Sequence, residues 1–145
     1  MPVATYDDAT LILKLYEIRR EEKMRQARDW FTRSFHFRTL EEYQKGCPPG
    51  SQENAFARMV ISYWEMVASF VTSGVLGESL FFQSGQELML VYDRLRDILP
   101  EMRQMMKSPI AYRNLEEAGK RYADWLDHQA PGAFEAFSAR TRGMR

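Results

Sequence analysis

SQENAFARMVISYWEMVASFVTSGVLGESLFFQSGQELMLVYDRLRD, residues 51–97, is the most informative part of the chain. Ser51 is a helix cap, its hydroxyl suited to a free backbone amide. Phe56, Met59, Val60, Tyr63, Trp64, Val67, Phe70 and Val71 then recur at helical spacing. Ala57, Ile61 and Ala68 widen the stripe so far around the circumference that this helix belongs at the centre of a core. Ser73-Gly74 ends it, because glycine readily takes the left-handed C-cap conformation. A second helix is expected over 78–97, with Leu80, Phe81, Leu88, Val91, Tyr92 and Leu95 inward. So short a link makes the two helices antiparallel neighbours. Trp64 shares its sector with Val60, Val67 and Val71 and is expected in the core. Gly85 costs about 1 kcal/mol against Ala inside a helix, which implies that something approaches its backbone closely, a neighbouring helix before a ligand.

Upstream, Thr5 and Asp8 form a capping box, and no breaker follows before Ser34, so one long N-terminal helix is expected. Ala9, Leu13, Tyr16, Arg20, Met24, Ala27, Phe31 and Phe35 fall on one face, and Leu11, Leu15 and Ile18 add a second face to its first half. Thr39 and Glu42 open a short helix that Gly46 ends before the loop Cys47-Pro48-Pro49-Gly50. Downstream, Pro100 restarts the chain into a segment with Met102, Met105 and Met106. Ser108-Pro109 then opens a helix that buries Ala111, Leu115, Ala118, Tyr122, Trp125 and Leu126. Pro131-Gly132 separates it from a last helix carrying Phe134 and Phe137, and residues 139–145 are expected to fray. No segment alternates with period two. The fold class is all-α: a single-domain helical bundle over 1–145, of six or seven helices, with a long N-terminal helix and a central antiparallel hairpin.

A chain of 145 residues that is 45% apolar and 28% charged can bury a core without disulfides or metal. Its formal net charge of zero gives no global field toward nucleic acid or an anionic membrane. Arg140, Arg142 and Arg145 are the one cluster of a single sign, and they fall short of the roughly six phosphate contacts behind measurable affinity. No nucleic-acid partner is expected. The most apolar run, 59–71, is interrupted by Glu65 and is shorter than the roughly 20 residues a spanning helix needs. The first residues show neither the basic nor the apolar region of a secretory signal, and Cys47 is the single cysteine. A soluble, cytoplasmic protein without a membrane partner is expected.

No glycine-rich phosphate loop, His-Glu-x-x-His or paired-cysteine motif occurs. His36 and His128 have no partners at ligand spacing, and Cys47 has no nearby histidine to activate it. No metal, no cofactor and no catalytic residue are expected. Arg20 stands within an apolar stripe, where a guanidinium needs a carboxylate or a route to water. Glu65 is the one charge within 60–71 and shares a face with Arg58, Ser62 and Ser69, which suggests a polar edge. With Gly85, these two mark a candidate ligand pocket between the long helix and the hairpin, although structural roles explain each of them more simply.

Tyr63-Trp64-Glu65-Met66-Val67, then Ser73-Gly74-Val75-Leu76, then 88–103 with Tyr92 and Pro100, resembles a group of bacterial proteins classed as a domain of unknown function. The resemblance covers the central part of the chain. It implies an all-helical fold and a bacterial source, and it supplies no catalytic residue. Related proteins often carry an N-terminal membrane helix, whereas the segment here is charged and amphipathic, which argues against membrane attachment. The functional expectation is a non-enzymatic interaction module that forms a homodimer through the first helix, because one core covers only one of two apolar faces easily. The alternative is a small-ligand or effector-binding helical domain, with its pocket near Arg20, Glu65 and Gly85.

Overall fold

The computed structural model describes residues 3–143, and among them the chain is all helix and turn, with no strand. The helices are α1 (Tyr6–Ile18), α2 (Glu22–Ser34), α3 (Leu40–Gly46), α4 (Gln52–Thr72), α5 (Glu78–Phe81), α6 (Gln86–Leu95), α7 (Leu99–Met106), α8 (Arg113–Gln129) and α9 (Ala133–Arg142). Among the described residues nine helices thus replace the expected six or seven, chiefly because two long segments are each divided in two.

The central element is α4. Ser51 caps it by accepting the Asn54 amide at 3.1 Å, and Gly74 follows it with φ +83°. Its apolar sides meet α8, α2 and α6. Trp64 is 2% exposed, in the core as its spacing predicts. Arg19, just before α2, lies against Trp64, whereas Trp30 near the end of α2 meets Phe56 near the start of α4, so α2 and α4 run in opposite directions. Arg28 pairs with Glu87, and the last carbonyls of α2 meet Arg94, so α6 runs with α2 and against α4. The antiparallel relation expected of the central hairpin is therefore present.

The long N-terminal helix is not continuous. Arg19 ends α1, and Glu21 starts α2 by accepting the amides of Lys23 at 3.1 Å and Met24 at 3.0 Å. Arg28 fastens the corner, donating to the Arg19 carbonyl at 3.1 Å and to Glu87 at 2.8 Å. The break shifts the helical phase. Met24, Ala27, Phe31 and Phe35 stay inward, but α1 buries Asp8 and Leu15 and turns Leu13 outward, 68% exposed. Tyr16 and Ile18 are exposed as well.

The helix expected over 78–97 is interrupted at 82–85, and Gly85 is the N-cap of α6, not a mid-helix residue. A Cβ at Gly85 would stand 2.3 Å from Phe81 Cζ, so the visitor at its backbone is a ring from the preceding turn. Gly119 of α8 likewise faces Tyr92, whose Cγ would lie 2.2 Å from an added Cβ. The helix predicted to open at Ser108-Pro109 starts instead at Arg113, because Lys107 and Tyr112 both take left-handed conformations, with φ 53° and 57°.

Helix α6 is buried on every side, and it carries two charges into the interior. Arg94, 2% exposed, donates to the carbonyls of Phe31, Thr32 and Phe35 at the end of α2 and of Thr141 in α9, at 2.6–3.2 Å. A cation where two helix C-termini converge meets both their free carbonyls and the negative ends of their dipoles. Asp93 accepts from Ser138 at 2.8 Å and pairs with Arg142 at 3.0 Å and Arg96 at 2.9 Å. Residues 139–142 are therefore helical and tied down, contrary to the expected fraying. Arg142 is held by Asp93 and Asp97 and Arg140 lies over Phe137, while Arg145 lies outside the described residues.

Candidate functional site

Between α1 and the rest of the bundle lies an apolar pocket of about 330 Å³. Ile12, Leu13, Leu15, Tyr16 and Arg19 of the α1 segment form one wall. Tyr63 and Trp64 of α4 form the floor, and Phe81, Ser84 and Gly85 close the far side. Few contacts attach α1 to the bundle. The Asp8 carboxylate accepts the Gly77 amide at 2.8 Å, and the Tyr63 hydroxyl donates to the Leu15 carbonyl. The Asp8 carboxylate also accepts the Thr5 amide at 2.8 Å, completing the capping box foreseen in the sequence. The backbone bonds from Gly77 and Thr5 hold Asp8 below its ordinary carboxylate pKa.

Arg19 is the one charged side chain of the pocket wall. Its guanidinium lies 4.9 Å from the centre of the Tyr16 ring and 5.4 Å from that of Trp64, within cation–π range of both. Its Nε is buried without a hydrogen-bond partner. Beside it, the Trp64 indole Nε1 donates to Glu87 at 2.9 Å, and Glu87 also pairs with Arg28 at 2.8 Å. Burial pushes the Tyr63 hydroxyl up to about 12, so it remains a hydrogen-bond donor across the neutral range.

Of the three residues that the sequence marked, only Gly85 lines this pocket. Arg20 is exposed, stacks on Tyr16 at 5.6 Å, and faces a separate open polar groove with Arg25, Asp29 and Glu87. The break after α1 turns its neighbour Arg19 inward instead. Glu65 accepts the Leu115 amide at 2.8 Å and Asn114 Nδ2 at 2.9 Å, so it caps α8 and does not line this pocket. Sequence reasoning missed Arg19, Tyr16 and Phe81 as a group, since only the corner at 19–21 brings them together.

Cys47 is 1% exposed, and burial pushes its thiol up to about 11, far from the reactive thiolate range. Among the described residues no group of three His, Cys, Asp or Glu stands close enough to hold a metal ion. No helix there is long and apolar enough to cross a membrane.

The family model described as Domain of unknown function (DUF4760) matches residues 4–122, and the chain belongs to that family. The match contains the whole pocket and stops short of α9. No curated protein and no solved structure matches the chain.

Proposed function

We propose that this DUF4760 domain is a non-enzymatic, cytoplasmic binding domain that takes a small apolar ligand in the pocket beneath α1. The pocket itself carries this reading: about 330 Å³ walled by aliphatic and aromatic side chains, at the lower end of the roughly 300–1,000 Å³ usual for ligand sites. The hinge-like corner at 19–21 and the few ties on α1 support entry by displacement of that helix. The closed-off Cys47 thiol favours binding over thiol chemistry and accords with a reducing compartment. Trp64 in the floor is a built-in reporter.

A screen of small apolar compounds by thermal unfolding and tryptophan fluorescence tests this reading. A true ligand at a hundred times its Kd adds about 2.7 kcal/mol of stability. Ser84→Phe, which fills the pocket from its exposed rim, is expected to abolish that gain. Equal stabilisation of the plugged variant, or no hit at all, overturns the reading.

A second reading is self-association through α1. Tyr6 is 88% exposed, and Leu13 and Tyr16 continue from it along one outer side of the helix. Such a row is suited to a second copy packed across a two-fold axis. The solution mass at micromolar concentration decides it: a monomer there removes this reading.

A further inference from the structure

We infer that the ligand of the α1 pocket is an amphipathic monoanion, an apolar body bearing one carboxylate, and that Arg19 receives the carboxylate. This rests on the ligand-binding reading above. Every other polar group in the floor has an intramolecular partner: the Tyr63 hydroxyl donates to the Leu15 carbonyl, and the Trp64 indole donates to Glu87. Arg19 differs. Its Nε is buried with no hydrogen bond, and no carboxylate among the described residues pairs with it. By contrast, Arg28, Arg96, Arg103, Arg121 and Arg142 all have acidic partners. Glu87, which accepts from the Trp64 indole beside Arg19, is already paired with Arg28.

Held over two rings, the buried Nε of Arg19 has lost its hydration, and the guanidinium has gained cation–π attraction in return. An incoming carboxylate restores its hydrogen bonds in the planar, two-pronged geometry that the guanidinium fork favours. The apolar walls take up the rest of the molecule. One cation with no second basic group in the lining selects a single negative charge, because a dianion would bring an unmatched charge into apolar surroundings.

Octanoate and octanol, which differ at the head group, provide the test, with binding to the full chain read by tryptophan fluorescence and calorimetry. Octanoate is expected to bind about tenfold or more tightly than octanol, the gain typical of a hydrogen bond to a charged group. Arg19→Gln should bring the octanoate-to-octanol affinity ratio down to about one, and Arg19→Lys should keep part of it. Equal binding of both probes, or octanoate binding insensitive to Arg19→Gln, overturns the assignment of Arg19 while the pocket reading stands. If neither probe binds wild-type protein, the pocket reading falls and this inference with it. Should Arg19→Gln fail to fold, the octanoate-to-octanol ratio in wild type and Arg19→Lys still decides.

Discussion

The Glu65 carboxylate, midway along α4, accepts the Leu115 amide at 2.8 Å and thereby caps a helix whose own N-cap residue, Tyr112, offers no side-chain bond. Its removal leaves free amides at the start of α8. Glu65→Ala is expected to cost about 1–2 kcal/mol, the range of a lost N-cap, and Glu65→Gln less. Urea midpoints measure this. Binding in the α1 pocket should be unchanged in both variants; a selective loss of binding with wild-type stability would return Glu65 to the site.

Asp8 makes the attachment of α1 sensitive to acid. Because its pKa in the folded chain lies below the ordinary 3.8, its contribution is complete above that value and is lost as pH falls through the lower, folded-state value. Amide exchange in α1 should therefore accelerate below pH 3.8 ahead of exchange in α4, and Asp8→Asn should flatten this dependence. Simultaneous loss of protection in both helices would show that α1 does not open separately.

Arg94→Met takes the guanidinium donor from the carbonyls of Phe31, Thr32, Phe35 and Thr141 at the ends of α2 and α9, of which Phe31 keeps the Phe35 amide. Buried polar groups stripped of a charged partner commonly cost about 3–5 kcal/mol, a large part of the roughly 5–15 kcal/mol that holds a domain together. The thermal midpoint should fall steeply. A loss under about 1 kcal/mol, within the range of ordinary surface changes, would mean that water replaces the guanidinium.

Gly119→Ala tests how closely α6 and α8 approach. The new methyl group would stand 2.2 Å from Tyr92 Cγ and 2.5 Å from its Cβ, atoms near the backbone that cannot swing aside. Overpacking of this kind costs about 1–3 kcal/mol even though Ala is the better helix former. A stabilised variant would place the two helices further apart than the structure has them.

Caps and apolar spacing made much of the fold readable. Ser51, Thr39 and the Thr5–Asp8 box start their helices where the sequence indicates, since each cap acts on amides three positions away. The corner at 19–21 was not readable. Every residue there is compatible with a helix, and the break depends on Arg28, which is anchored by Glu87 from a distant segment. That corner also explains the site. Carrying one helical phase through it points to Arg20, and the real change of phase brings in Arg19. Asp93 and Arg94 were hidden for a similar reason, because, apart from Arg96 beside Asp93, their partners lie 45–63 residues away in sequence and nothing local marks either charge as buried.

Arg94 also ties the closing of the interior to the order of synthesis. Its acceptors come from 31–35 and from Thr141, so a nascent chain that has released α2, α4 and α6 still lacks the last acceptor and the Arg142 counter-charge for Asp93. Chains emerge at roughly 5–20 residues per second, and during that interval Asp93 has Arg96 but neither Arg142 nor Ser138 as a partner. Helix α9, although it lies beyond the family match, acts as the latch that completes the fold. A chain stalled before it would remain loosened around α6, open to the proteases that clear unfinished proteins.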